Sequence, residues 1–263
     1  MAQIGYMMDW LQQDPWGFVQ YMLYRVPAVL LAIMMHEYAH GYAAYRSGDN
    51  TAKMLGRLSF NPLKHLDMWG TLSLFLLGFG WAKPVPVNPN NFRNKRRDDI
   101  IVSLAGVTVN FIMFLLFTLL SILVGKFLYQ PEFFRSVGAE YMLSASQVGF
   151  LVQLDPAYAK ELLPLLKTPW LLHVQRVLLH ASMINLGLCL FNLLPIPPLD
   201  GFHVMNNLFF KGRIFMGGRN FQIMQSLFII LMLTTGFVSD IISKAIYGVQ
   251  GAVLSGMLRL FGI

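Results

Sequence analysis

Within the apolar run VLLAIMMHEYAHGYAAY stand His36, Glu37 and His40, two imidazoles four residues apart with a carboxylate beside the first. Residues four apart share one helix face, so both imidazoles can bind a single metal ion. Glu37 is then placed to take a proton from a metal-bound water, whose pKa a zinc site lowers to about 7. The hydroxide so formed is a nucleophile for amide hydrolysis. At this chain's own usage of six His, the pattern is expected by chance only about 0.002 times. A polar cluster without a metal would have to place three ionisable groups inside a membrane span, where each is costly.

A catalytic zinc keeps three protein ligands and an open position, so a third ligand must come from elsewhere. Asp200 is the leading candidate. It lies in NLLPIPPLDG, residues 192–201, where Pro195, Pro197 and Pro198 break a helix and Gly201 permits a tight turn. His203 is a rival, and His173 and His180, seven apart on one face, are a further option. His65, beside Lys64, reads as structural. The single cysteine, Cys189, lies in an apolar run, which rules out an intrachain disulfide and a Cys-based metal site and leaves a small buried hydrophobe.

The elements that position these residues are set by composition. Of 263 residues, 56% are hydrophobic and 13% charged, against about 25% charged in soluble domains. The chain reads as one membrane-embedded unit, residues 1–263, mainly α and polytopic. A soluble metalloprotease is excluded, because the zinc helix would then show a polar face and VPAVLLAIMM, residues 26–35, has none. Four segments are long enough for a bilayer core about 30 Å thick: about 22–45, 100–125, 171–194 and 221–247. The run 69–81 is too short to cross and reads as strand, interfacial or re-entrant structure. KMLGRLSFNPLKHLD and GWAKPVPVNPNNFRN are rich in Pro, Asn and Gly. They predict turns and extended pieces, hence a small membrane-associated β region within 46–99. The loop 126–170 is expected to lie along the interface.

The net charge of +7 comes from Lys and Arg in short clusters between apolar runs, which suits loops better than nucleic acid. Residues 46–99 carry nine basic residues, 126–170 four and 200–220 three. The positive-inside rule then places 46–99 and 200–220 in the cytoplasm and 126–170 outside. The N-terminus lacks the basic opening of a signal peptide and is expected to be retained.

HEYAH in an apolar helix, SLAGVTVN at 103–110 and NLLPIPPLDG at 192–201, in that order, resemble the site-2 protease family of intramembrane zinc metalloproteases. GRLSFNPLKHLD and GWAKPVPVNPNNF are similar to its compact bacterial members, so the likeness covers most of 22–210. The resemblance implies one Zn2+ per chain held by His36, His40 and Asp200, with Glu37 as catalytic base. It implies an endopeptidase of the bacterial cytoplasmic membrane, its site open to the cytoplasm, whose substrates are transmembrane proteins or signal-peptide remnants. Asn110 and Asn192 match polar positions that contact substrate or steady the transition state, although hydrogen bonding between helices would serve equally well. Val107 departs from the proline common after Ser-Leu-Ala-Gly, and the chain has no room for an inserted PDZ or CBS domain. The competing reading is a non-proteolytic zinc binder or transporter, for which a base at Glu37 is superfluous.

Three physical demands follow. At 1.5 Å per residue His36 sits about 15 Å from Arg46, so water must reach that depth. A helical substrate must unwind locally, and an edge strand from 53–60 or 71–87 would pair its exposed backbone. A straight third helix from 171 to 194 would span about 36 Å and leave Asp200 too far out, so the prolines must turn the chain back.

Overall fold

The computed structural model describes residues 2–70, 82–212 and 237–262. They are mainly helical: α1 (Ala2–Gln13), α2 (Pro15–Arg46), α3 (Lys95–Leu128), α4 (Leu171–Asn192), α5 (Asp200–Phe209) and α6 (Phe237–Leu260), joined by shorter helical turns. Among the described residues, four helices are long and apolar enough to cross a membrane: α2, α3, α4 and, within α6, Asp240–Leu260. The first two are longer than the expected 22–45 and 100–125, beginning at Pro15 and Lys95, and the third ends at Asn192 against an expected 194. The fourth was expected over 221–247; residues 221–236 lie outside those described, and the helix continues to Leu260 through Gly248, Gly251 and Gly256.

Local chemistry sets the helix ends. Asp14 caps α2 by accepting the Gly17 N–H at 2.9 Å, with Pro15 at the first helical position, where its missing N–H costs nothing. At α3 the cap is reciprocal: Asn94 Oδ1 accepts the Arg97 N–H at 3.1 Å, and Asp98 Oδ2 accepts the Asn94 N–H at 2.8 Å.

Helices α3 and α4 make the largest contact, and α2 packs against both. The polarity of this bundle suits lipid. Trp16, Leu23, Ile112, Leu116 and Phe127 are exposed, while Asn110, Thr118, Ser182 and Asn185 are buried between helices. Thr118 and Ser182 hydroxyls meet at 2.8 Å across α3 and α4, the kind of polar contact that joins helices where lipid supplies no hydrophobic drive.

Residues 129–170 form a cap of short helices between α3 and α4. Leu128, Tyr129, Met142, Leu143, Phe150, Leu162 and Leu166 bury one apolar cluster with Leu172 and Leu179 of α4 and Leu254 and Leu258 of α6. Arg176, 1% exposed, fastens the cap from α4 by donating to the Gln153 carbonyl at 2.6 Å and the Asp155 carbonyl at 3.2 Å.

The expected β region requires correction. No sheet occurs among the described residues; between α2 and α3 there is one isolated bridge, Leu66 to Ala82, and 71–81 lie outside the described residues. Residues 51–54 form a helical turn. The segment 82–88 is held by side chains instead of a strand ladder, because Pro84 and Pro86 have no N–H to give. Arg57 Nη2 donates to the Lys83 and Pro84 carbonyls at 2.7 and 3.2 Å. The Asn88 N–H donates to Asp49 Oδ2 at 2.7 Å. Burial alone would raise the Asp49 carboxyl, but hydrogen bonds from Asn88, Thr51 and Asn91 outweigh it and hold the group below its usual range.

Candidate active site

Helices α2 and α3 run antiparallel, and one stripe of α3, spaced by four, faces the two histidines of α2. Asn110 Oδ1 lies 2.6 Å from His36 Nδ1, and the Val102 carbonyl lies 2.7 Å from His40 Nδ1. Between them sits Gly106, where an added Cβ would fall 2.6 Å from His36 Cε1 and closer still to His40 Nε2. Only glycine lets the backbone of α3 approach both rings.

These contacts decide the tautomers. A carbonyl oxygen can only accept, so His40 carries its proton on Nδ1 and presents a lone pair at Nε2. His36 is set by a longer chain. Asn185 Nδ2 donates to the Ala181 carbonyl at 2.8 Å, which leaves Asn185 Oδ1 to accept from Asn110 Nδ2 at 2.8 Å. Asn110 Oδ1 therefore faces His36 Nδ1–H, and His36 too presents a lone pair at Nε2.

Asp200 reaches the same point from α5. Helix α4 ends at Asn192, the prolines prevent its continuation, and the chain doubles back so that Gly201 packs on the carbonyls of Leu193 and Leu194. A side chain at position 201 would collide with that backbone. The reversal removes the distance a straight helix would have imposed.

The resulting triangle has His36 Nε2 and His40 Nε2 3.0 Å apart, and Asp200 Oδ2 lies 3.4 and 3.3 Å from them. Asp200 Oδ2 is buried without a hydrogen-bond partner. Three electron-pair donors thus converge with no N–H or O–H to separate them, which is stable only with a cation among them. Tetrahedral zinc with bonds of about 2.0 Å spaces its ligand atoms by about 3.3 Å. The residues fit the ion. Glu37 stands beside this triangle on α2, half-buried, its Oε2 accepting the Val85 N–H at 2.7 Å from the segment 82–88.

The other candidates do not join the triangle. Asn192 donates to the Leu188 carbonyl of its own helix at 3.0 Å. His173 meets the Tyr24 hydroxyl at 2.8 Å, and His180 stacks edge-on against Tyr21 at 5.0 Å, both toward the opposite end of α4. His65 Nε2 bonds the Ser59 carbonyl at 2.8 Å. His203 turns to Asp99, with Nδ1 3.4 Å from Oδ2, and the hydrogen bond to that carboxylate raises its pKa above the ordinary value. Sequence reasoning assigned no role to Asn185, Gly106 or Asp99. Asn185 carried a signal as an amide in an apolar span, and Gly106 as the glycine of SLAGVTVN.

The family model described as Peptidase family M50 matches residues 24–235. The chain belongs to peptidase family M50. This M50 peptidase is 38% identical over 187 residues to the "Putative zinc metalloprotease YwhC" of Bacillus subtilis, covering 71% of this chain and 69% of that one. It is 28% identical over 117 residues to the "Putative zinc metalloprotease Rip2" of Mycolicibacterium smegmatis, covering 41% of this chain and 45% of that one. No solved structure matches. The M50 chain is a metalloprotease, its family implies zinc, and its four apolar helices make it an integral membrane protein.

Proposed function

We propose that this M50 peptidase is an intramembrane zinc endopeptidase, a single unit of residues 1–263 that hydrolyses peptide bonds in or near the transmembrane segments of other proteins. One Zn2+ per chain is held by His36, His40 and Asp200. The observation that carries this reading is the triangle of three lone-pair atoms without a donor, set between apolar helices and beside Glu37.

Bound zinc supplies a Lewis acid that brings the pKa of a water to about 7 and polarises the scissile carbonyl. Asn110 and the Val102 carbonyl hold the two imidazoles in the tautomer that binds a cation. Glu37 takes a proton from the attacking water and returns it to the leaving nitrogen. The Val85 N–H on Oε2 fixes the carboxylate's orientation and leaves Oε1 for that exchange. Asn110 acts through His36 in this reading.

The site lies at the end of the bundle that bears residues 46–99 and their nine basic residues, which supports an opening toward the cytoplasm and residence in a bacterial cytoplasmic membrane. Transmembrane proteins and signal-peptide remnants are the substrates this position serves. The decisive experiment is cleavage of a panel of membrane proteins in liposomes by wild type and Glu37→Gln. Cleavage should disappear in the variant while zinc content stays at one per chain. Undiminished cleavage by Glu37→Gln overturns the assignment.

A further inference from the structure

His203 stands one helical turn beyond Asp200 on α5, which lies outside the four long apolar helices. Residues three apart share a helix face, so His203 stands on the same side of α5 as Asp200. Its side chain is 48% exposed, whereas those of His36 and His40 are 11% and 12% exposed. It stands on the Asp200 face of α5 without joining the triangle of lone pairs, and its ring is open to an incoming molecule.

The ring is anchored. Asp99 of α3 pairs through Oδ2 with His203 Nδ1, 3.4 Å away, and accepts a hydrogen bond at the same oxygen from Asn207 Nδ2. Asn207 Nδ2 also reaches the His203 carbonyl at 2.9 Å, and Arg96 Nε donates to the Asn207 carbonyl at 2.6 Å. A carboxylate only accepts, so Nδ1 carries a proton, and Nε2 has no hydrogen-bond partner among the described residues. A histidine fixed at one nitrogen and free at the other, beside a hydrolytic centre, is built to present that second nitrogen to substrate.

We propose that His203, held by Asp99, donates a hydrogen bond from Nε2–H to the scissile carbonyl oxygen as negative charge develops there. The proposal rests on the peptidase reading above. In the reaction, the water oxygen bonds to the carbonyl carbon and one water proton passes to Glu37. The C–N bond then breaks as that proton reaches the amide nitrogen, leaving a carboxylic acid and an amine. His203 keeps its proton throughout. A donor aimed at the developing charge acts on the rate of the chemical step more than on substrate binding. Asp99 is a positioning residue: the pairing of its carboxylate with His203 Nδ1 favours the imidazolium. Arg96, on the same helix as Asp99, is the other charged group held against α5.

The test uses the full chain in detergent with a single-span transmembrane peptide bearing a fluorophore and a quencher, and zinc measured on every variant. His203→Ala should lower kcat about 100-fold with KM changed less than about twofold and zinc content unchanged, the scale of one lost oxyanion donor. His203→Gln, which retains an N–H donor, should recover part of that loss. The cation is lost as pH rises through the His203 pKa, so the rate falls on the alkaline side, and Asp99→Asn should move that limb to lower pH. As a second measurement, a phosphinic peptide, whose tetrahedral oxygens mimic the transition state, should bind zinc-loaded His203→Ala about tenfold more weakly than wild type. Unchanged kcat and unchanged phosphinic affinity in His203→Ala, loss of zinc with activity, or an unmoved alkaline limb in Asp99→Asn overturns the proposal. Glu37→Gln separates the two readings. If it still cleaves, the peptidase mechanism fails; if it is inactive while His203→Ala cleaves normally, only the role of His203 fails.

Discussion

The His36 Nδ1–H ends on Asn110 Oδ1, and the Asn110 amide ends on Asn185 and the Ala32 carbonyl, so one imidazole is oriented by a relay that crosses three helices. Each link is a side chain that must choose between donor and acceptor, and the choice is forced from the far end by a carbonyl that can only accept. Asn110→Ala removes the acceptor and frees the ring to rotate. Outer partners of this kind are worth about 10- to 100-fold in metal affinity. Titration of the Asn110→Ala variant against a zinc chelator should show a loss of that order, with Asn192→Ala indistinguishable from wild type.

At the scale of elements, the site depends on how closely two helices approach. Gly106 occupies the point where α3 touches both imidazoles, and a methyl group there must push His36 and His40 off their positions or the helix off α2. Overpacking of this kind costs about 1–3 kcal/mol. Gly106→Ala is expected to lose both zinc and activity, measured as metal content and cleavage, and to melt earlier. Gly125, on the same helix, gives the control. Its nearest neighbour to an added Cβ is Phe134 Cε2 at 3.6 Å, an ordinary contact, so Gly125→Ala should retain zinc. The doubling back after Asn192 is the second such element, since Asp200 joins α2 only because the chain reverses over the Leu193 carbonyl.

For the whole molecule, the basic residues and the helix directions make one statement about orientation. Residues 46–70, 82–95 and 192–212 meet at one end of the bundle and the cap 129–170 lies at the other, and the excess of Lys and Arg belongs to the first end. With the buried Cys189 replaced by Ser, a membrane-impermeant maleimide applied to intact spheroplasts should label Glu132→Cys, which is exposed on the cap. Asn90→Cys, exposed at the other end, should be labelled only after lysis. The reverse pattern would place the site on the outer side and remove the reading of a site open to the cytoplasm.

Much of this protein is legible in one dimension. The spacing of His36 and His40 and the lengths of the apolar runs are local properties, so the ligand pair and the first three long helices were readable before any fold was known. Pro195, Pro197, Pro198 and Gly201 likewise announced that the third helix must end and turn. Other features depend on register between segments 60 to 150 residues apart, for which a single sequence holds no pattern. The partner of Asn110, the packing role of Gly106 and the turn of His203 toward Asp99 are all of this kind. The expected β region failed for a related reason: extended composition around Pro84 and Pro86 was visible, but whether strands or side chains satisfy its backbone is decided by neighbours, here Arg57, Glu37 and Asp49. Sequence by itself determined which groups can bind a metal, and tertiary structure decided which atoms face each other, because hydrogen-bond direction and close approach exist only between elements already packed.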